Sequence, residues 1–239
     1  MCDLGEHFIL PYGMSWKEYS CCLWAHAPLL AVDRLRSGNE FEAADITRIV
    51  IETYPAALQL HVVHPRTTEE AQFSIAWPVA AFLVDGEVAT EQVAEARLAD
   101  PAISALAAKI EFVASAEYQR LYEGSDLGRP DSQDAARATI ELADGRTLDS
   151  GLVEHPVYQK EMADWDRGRM ERKFRWLLRH LLRPHDVDEL VAMVWAFAQV
   201  EDVREFAAAL RRLLVAGRVP APGAVAPVAV RAPAGGRNR

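Results

Sequence analysis

The chain has 239 residues, enough to bury a substantial core as one large domain or two small ones. Half of its residues are hydrophobic and 26% are charged, a composition typical of soluble globular proteins. The net charge of −9 argues against nucleic acid as the main partner, because phosphate binding requires a concentrated basic surface. The sequence has no apolar run of about 18 residues, so we expect no transmembrane helix and no membrane partner.

The N-terminus and the cysteines both predict a reducing compartment. The first ten residues carry two acids and no basic region, which argues against a secretory signal. The three cysteines are Cys2, Cys21 and Cys22. Adjacent cysteines rarely bridge each other and the count is odd, so we expect no disulfide framework. We therefore expect a cytoplasmic protein.

The first predicted elements are a helix and two strands. Over residues 22–36 apolar side chains recur at helical spacing, which predicts a helix. Residues 46–54 are β-branched and alternate in polarity, which predicts a strand. Residues 58–63, separated from them by Pro55, predict a second short strand.

A long buried helix is predicted next. Either Thr67 or Thr68 can cap it, and two glutamates in its first turn suit the positive end of the helix dipole. It is apolar on nearly every face, so we expect it to be deeply buried. Pro78 is expected to kink the helix, and Gly86 to end it.

The middle of the chain predicts two short helices, a strand and a hairpin. The helices cover about 90–98 and 101–108, and Pro101 suits a first helical position. An alternating strand follows over 109–118, and then a polar loop. Residues 136–153 predict a hairpin around an Asp-Gly turn.

From about residue 164 the sequence predicts three helices, followed by a tail over 216–239 that contains four arginines and no acid. The tail is rich in Ala, Pro, Gly and Val and cannot build a packed core, so we expect disorder. The order of elements predicts an α+β fold with helices on one side of a small, mostly antiparallel sheet. We divide the chain into an α+β domain over 1–160, C-terminal helices over 161–215 and the tail.

Reactive side chains are concentrated in residues 15–26, SWKEYSCCLWAH. Cysteine and histidine side chains commonly bind zinc, and this segment contains Cys21, Cys22 and His26. However, adjacent cysteines point in different directions and no second pair has ligand spacing, so we expect no metal. Two interpretations of the cysteines stay open. One is a thiol nucleophile near a helix N-terminus, and the other is simple packing, the usual role of free cysteine.

Lys17 and His26 form a second candidate pair in the same segment. A lysine in a loop that leads to a helix N-terminus makes a cationic pocket suited to carboxylates. His26 either transfers a proton or fixes the loop by a hydrogen bond. A solvated lysine and a core histidine are the structural alternatives.

Three further polar residues are candidates for substrate binding. His61 and His64 flank two valines and face opposite sides of the predicted strand, so only one of them can line a site, and we select His61. Gln72 and Ser74 lie on the predicted buried helix, where polar groups must find partners. They either stabilise the core or line a cleft. The sequence has no Gly-rich phosphate loop, nucleophile elbow or Walker motif.

Three segments taken together resemble the MmgE/PrpD family: SWKEYSCCLWAHAPLLAV, RIVIET and PRTTEEAQFSIAWPVAAFLVDGEV. The resemblance extends over roughly residues 8–215. That family includes 2-methylcitrate dehydratase, cis-aconitate decarboxylase and iminodisuccinate epimerase. Its K-x-[YF]-x-x-C-x-x-x-H segment is matched by Lys17, Tyr19, Cys22 and His26. Its [E/D]-A-x-x-S helix, which ends in a D-G turn, is matched by Glu70, Ala71, Ser74, Asp85 and Gly86.

The resemblance implies the fold and site of the family's C-terminal lid portion. Lys17 would be the lid lysine that reaches the substrate carboxylates, and Tyr19 of the same motif is a further candidate for substrate binding. His26 and Ser74 would support or line the cleft. The family chemistry uses no metal or organic cofactor: a base removes a proton α to a carboxylate, or a carboxylate leaves, while cationic groups stabilise the enolate-like charge.

The resemblance also implies a partner, because family members begin with a large helical domain that this sequence does not contain. We expect the lid subunit of a split lyase or isomerase that acts on a small polycarboxylate together with a helical-domain chain. The alternative is a free-standing domain, either a repurposed small enzyme or a non-catalytic binding module that homodimerises through its C-terminal helices. A truncated, inactive paralogue is the third possibility.

Overall fold

A computed structural model describes residues 17–124, 133–156 and 167–216. The chain divides into two compact units, Met1–Asp166 and Arg167–Arg239. The described part of the first unit has the predicted α+β fold. Its helices are α1 (His26–Gly38), α2 (Thr68–Gln72), α3 (Ala76–Asp85), α4 (Pro101–Ala107) and α5 (Ala116–Glu123). Its strands are β1 (Ile46–Thr53), β2 (Ile110–Ala114), β3 (Gln133–Leu142), β4 (Thr147–Asp149) and β5 (Val153–Pro156).

The five described strands form one mixed sheet. Its order is β2-β1-β3-β4, and β5 also pairs with β3. The β1–β2 pair is parallel, whereas β3 runs antiparallel to β1, β4 and β5. The predicted hairpin is therefore present, and its Gly145 has a φ of 87°, in the left-handed region that glycine adopts at no steric cost. The prediction of a mostly antiparallel sheet is confirmed.

The inner face of the sheet is covered by α1. Alternation along β1 buries Ile49, Ile51 and Thr53 on this face, as period-2 side-chain geometry requires. α1 packs against β3 and β5 and also contacts α3. The opposite face carries ion pairs, including Arg48 with Glu111 at 2.6 Å, and is open to solvent. The helices thus lie on the side of the sheet where the core forms.

The most deeply buried element is α3. All of its residues from Ala76 to Leu83 are buried, so the helix is apolar on every face, as its sequence predicts. The Trp77 indole donates from Nε1 to the Gln92 carbonyl at 2.8 Å. Gly86 ends the helix in a left-handed conformation with φ 83°. α3 is therefore the centre of the core of the first unit.

The strand predicted over 58–63 is wrong. Ala57–Leu60 form a 3-10 helix, and no described strand follows them before α2. The turn begins where Leu58 donates to the Pro55 carbonyl at 3.2 Å. Both edges of β1 are already paired, with β2 on one side and β3 on the other, so a hairpin strand after β1 has no neighbour to join.

The prediction of a helix kink at Pro78 is also wrong in its position. The helix breaks upstream, between Gln72 at the end of α2 and Ala76 at the start of α3. Pro78 lies in the first turn of α3, where its missing N–H has no intrahelical partner to lose. The predicted cap is confirmed, since the Thr67 hydroxyl accepts from the Glu70 N–H at 3.2 Å.

Two predictions in the middle of the chain need correction. The helix predicted over 90–98 is reduced to a 3-10 turn at Glu95–Arg97. The strand predicted over 109–118 ends at Ala114, because the Ser115 hydroxyl accepts from the Tyr118 N–H and caps α5. The polar loop predicted to follow lies outside the described residues at 125–132.

Replacing Asp100 by alanine is expected to lower the free energy of unfolding by about 1 kcal/mol. Its carboxylate accepts from the N–H groups of Ala102 and Ile103 at 2.9 and 3.0 Å, and so caps α4. Chemical denaturation measures the loss. Asp100→Asn keeps the capping oxygen and is expected to keep most of this stability, whereas an equal loss in both variants would contradict the capping role.

The described part of the second unit has three helices, as predicted: α6 (Arg167–Leu178), α7 (Pro184–Trp195) and α8 (Val203–Ala216). Their shared core is small and consists of Leu182, Val187, Leu190, Val191 and Leu213. Except for Ala216, the tail predicted to be disordered lies outside the described residues. In the parts of the chain that the structure describes, no helix is both long enough and apolar enough to cross a bilayer.

Candidate functional site

The segment before α1 is held by main-chain hydrogen bonds to two neighbouring elements. Ser20 donates to the Val88 carbonyl at 3.0 Å, just beyond α3. Cys22 donates to the Gln72 carbonyl at 2.8 Å, at the end of α2. We call residues 17–26 the entry loop. Its anchors leave Lys17 exposed at the beginning of the loop, as a cation available to solvent.

His26 is fully buried and binds two main-chain groups within the entry loop. Its Nε2 accepts from the Tyr19 N–H at 3.3 Å, so this nitrogen carries no hydrogen. Nδ1 then carries the hydrogen and donates to the Cys22 carbonyl at 3.2 Å. Of the two roles open for His26, the structure provides the geometry for fixing the loop. The proton-transfer role stays a prediction.

The Tyr19 ring packs between a histidine and the core. Its edge meets His26 with ring centroids 5.3 Å apart, and it meets Phe82 of α3 at 6.0 Å. Burial, and to a smaller extent the charges of Asp33 and Cys21, raises the pKa of the Tyr19 hydroxyl above its ordinary value. The hydroxyl therefore remains a neutral donor over the physiological range.

Ser74 and Gln72 lie at the break between α2 and α3. The Ser74 hydroxyl is buried; it donates to the Val62 carbonyl at 2.5 Å and accepts from the Trp77 N–H at 3.0 Å. Both interactions serve the start of α3. Gln72 is half-buried, and its main-chain carbonyl holds Cys22 of the entry loop. Of the two roles that the sequence allows, the hydrogen bonds of Ser74 match the one that stabilises the core.

His61 lies on the exposed side of the same region. Its Nδ1 is 3.0 Å from the Leu58 carbonyl, and its side chain is exposed. The segment around His61 is hydrogen-bonded to the break between α2 and α3, since the Leu60 carbonyl accepts from the Ile75 N–H at 3.0 Å. The entry loop, the segment around His61 and the α2–α3 break are thus joined by hydrogen bonds into one region. Within it Lys17 and His61 face solvent.

The two cysteines of the entry loop have the environment of packing residues. Cys21 is buried and Cys22 is half-buried, and neither forms a disulfide among the described residues. In the same described residues no group of three or more His, Cys, Asp or Glu side chains could hold a metal ion. A cluster of this kind is what a protein zinc site requires.

A second group of polar side chains, which the sequence did not predict, lies beneath the entry loop. Asp134 on β3 is fully buried and accepts from the Tyr54 hydroxyl at 2.6 Å. Burial raises the pKa of Asp134 to about 7, although the Tyr54 hydrogen bond lowers it. His155 on β5 is 8% exposed, and burial lowers its pKa. Its ring centroid is 5.5 Å from that of His26.

Aromatic rings enclose this second group on the side of α5. The Tyr54 ring stacks on Tyr122 at 4.4 Å with an interplanar angle of 8°. Trp24 of the entry loop meets both rings edge-on, at 6.2 and 5.9 Å. Only the alternation along β3 and β5 could have pointed to Asp134 and His155, because neither belongs to a recognisable motif.

A comparison with protein-family models identifies one match. The model described as the MmgE/PrpD C-terminal domain matches residues 19–199, which cover the described elements from the entry loop to the end of α7. No curated protein matches the chain. The matched range begins two residues after Lys17, and it includes His26, His61, Gln72 and Ser74.

Proposed function

The chain belongs to the MmgE/PrpD family through that family's C-terminal domain, and from this membership we propose that it binds a small polycarboxylate as the lid of a cofactor-independent lyase or isomerase. The observation that carries the proposal is the entry loop. It presents an exposed lysine from a backbone that is hydrogen-bonded to α2 and to the residues after α3. A lysine carried on an anchored backbone is suited to binding a carboxylate.

Lys17 contacts the substrate in this proposal. Removal of a proton α to a carboxylate, or departure of a carboxylate, builds negative charge on the substrate. A fixed cation lowers the barrier to both reactions. Three features keep the loop that carries Lys17 in position: the His26 clamp between Tyr19 and Cys22, the Gln72 carbonyl and the Val88 carbonyl. His26 and Gln72 are therefore positioning residues, while Tyr19, Ser74 and His61 complete the same region.

The base that moves the proton comes from a helical domain on a partner chain in this proposal. Within the described region, the ring nitrogens of His26 and the hydroxyl of Ser74 already bind main-chain groups. Using either one as a base would break a contact that supports the entry loop or α3. A site completed by another domain avoids this cost.

Apolar side chains on the second unit support an association. Large hydrophobic residues are exposed on α7, α8 and the turns beside them: Leu181, Val194, Trp195, Phe197, Val203, Leu214 and Val215. Exposed apolar groups in such number on 50 described residues are typical of a surface that a partner covers. A helical-domain chain is the partner that the proposed chemistry needs. Homodimerisation of a non-catalytic binding module is the competing function that the same surface favours.

Isothermal titration of the chain with di- and tricarboxylates tests the proposed function. We expect binding in the millimolar range or tighter, and at least a tenfold loss of affinity in Lys17→Ala, since a charge-assisted contact contributes about 1.5–3 kcal/mol. Lys173→Ala, in the second unit, removes the same charge from the chain and is expected to leave affinity unchanged. Equal affinity in all three proteins, or no heat with any polycarboxylate even when a helical-domain chain is present, would contradict the proposal.

A further inference from the structure

Asp134 and His155 lie directly opposite each other on β3 and β5. We propose that these two side chains hold one proton between them in mildly acidic solution, joined through a single buried water, and that this pair positions the entry loop from beneath. The proposal goes beyond the carboxylate site because neither residue touches the substrate. Only the positioning role of the pair rests on the proposed function, since that role concerns the contact between Lys17 and a carboxylate.

The sheet geometry brings the two side chains together. Directly opposite residues of an antiparallel pair project on the same face, with Cβ atoms about 4.5–5.5 Å apart. Asp134 is 0% exposed and His155 is 8% exposed. Each has one buried polar atom, Oδ2 of Asp134 and Nδ1 of His155, with no hydrogen-bond partner in the structure as described. Buried waters typically bridge polar atoms that are otherwise without a hydrogen-bond partner, and these two atoms belong to facing residues.

The pair can be satisfied without burying a net charge. Oδ1 of Asp134 already accepts from Tyr54, so a proton on the carboxyl group resides on Oδ2. Protonated Oδ2 donates to the water, and the water donates to neutral Nδ1. Burial favours the neutral form of both groups, since it raises the pKa of Asp134 to about 7 and lowers that of His155.

Four elements packed around the pair carry titratable or charged side chains. Each packed element contributes titratable or charged side chains nearby, namely His26 and Arg34 from α1, Cys22 and Tyr19 from the entry loop, Tyr54 after β1 and Tyr122 from α5. Arg34 is bound to the carbonyls of Ser150 and Leu152 at the start of β5. Of these groups only Tyr54 contributes, beside burial, to the pKa of Asp134.

The connection to the entry loop passes through one histidine. The His155 ring lies against His26 with an interplanar angle of 53°, and His26 holds the Tyr19 main chain two residues from Lys17. Ionising Asp134 adds a buried negative charge below this contact. Asp134 and His155 are thus positioning residues, because they act on Lys17 only through His26 and Tyr19.

The sign of the pH effect follows from the raised pKa of Asp134. A carboxyl whose pKa is about 7 when folded and near 4 when unfolded favours the folded state at low pH. That contribution is present in full below about pH 4 and is lost as pH rises from there through about 7. We expect the folding equilibrium constant of the wild type, divided by that of Asp134→Asn, to fall on the order of 100-fold between pH 5 and 8. Asparagine serves as the reference because it mimics the protonated carboxyl and does not titrate.

Carboxyl ¹³C NMR on the intact wild-type chain provides a readout that does not depend on a variant's stability. One aspartate resonance, absent from Asp134→Asn, is expected to titrate near pH 7. His155→Gln, which removes a polar atom at the Nδ1 position, is expected to move that midpoint by at least about half a pH unit, a threefold change in proton affinity. His155→Asn, which restores a polar atom there, is expected to bring it back.

Two results would overturn the proposed pair: an Asp134 resonance that finishes titrating below pH 5, or a titration midpoint that does not respond to His155→Gln.

The positioning role of the pair is tested by polycarboxylate affinity. The affinity of the wild type, relative to that of Asp134→Asn, is expected to fall from pH 6 to pH 8. The same pH dependence of affinity in the two proteins would contradict that role. If the wild type binds no polycarboxylate, the proposed function fails, while the NMR and folding measurements still decide on the pair.

Discussion

Replacing Trp77 by alanine is expected to lower the free energy of unfolding by about 4 kcal/mol, the largest effect of any single substitution considered for this chain. The Trp77 side chain is completely buried in α3, at the centre of the core of the first unit. Its indole also donates to the Gln92 carbonyl, which is left without this partner when the ring is removed. Denaturation by urea, followed by circular dichroism, measures the change.

The matched control for this prediction is Trp77→Phe. Phenylalanine keeps most of the ring volume and loses the Nε1 donor, so its cost is expected to be about 1–2 kcal/mol. A loss in Trp77→Ala no larger than that in Trp77→Phe would show that α3 is not the centre of the core. Both variants keep the Trp77 main-chain N–H that binds Ser74, so the start of α3 stays capped.

Replacing His26 by alanine is expected to cost about 3 kcal/mol of folding free energy, the second-largest effect. The substitution leaves a cavity in a fully buried site and removes the partner of the Tyr19 N–H and of the Cys22 carbonyl. Because these two bonds hold the backbone of the entry loop, polycarboxylate affinity is expected to fall together with stability. Denaturation and isothermal titration of the same protein measure both quantities.

His64→Ala is the control for His26, since His64 is exposed and lies outside the entry loop. We expect its stability and its polycarboxylate affinity to stay within error of the wild type. A His26→Ala protein that keeps full stability and loses only affinity would contradict the clamp. That outcome would instead favour direct contact between His26 and the substrate.

Much of the fold was predictable because local chemistry and tertiary packing agree at those elements. The apolar spacing before Gly38 predicts α1, the alternation after Asp45 predicts β1, and the Asp144-Gly145 pair predicts the hairpin turn. The Thr67 cap of α2 was equally readable. In each case the residues that favour the element also bury its correct face.

The errors occur where tertiary context decides. Residues 58–63 have strand-like composition, yet both edges of β1 are taken by strands that come later in the chain. Pro78 suggests a kink, but a proline in a first helical turn is harmless, and Ser74 shows where the new helix is capped. Neither sheet order nor the point where a helix restarts can be derived from local propensity.

The candidate site was predictable only in part. Lys17 and His26 were found from their spacing before a helix and from the family motif, but sequence alone left the role of His26 open between proton transfer and a hydrogen bond. The pair of Asp134 and His155 was missed, because it depends on the register between two strands and the two residues are 21 positions apart in the sequence. A buried carboxyl at a strand start looks like a loop residue until its partners are known.

The role of Lys17 as a carboxylate contact is tested by a crystal structure of the chain with a bound tricarboxylate, and with a helical-domain partner where assembly requires one. The measurement is the distance from the Lys17 Nζ to the nearest ligand carboxylate oxygen. We expect a distance of about 2.7–3.2 Å, with the Tyr19 main chain still bound to His26. A ligand bound elsewhere, or at the entry loop with Lys17 turned away from its carboxylates, would contradict it.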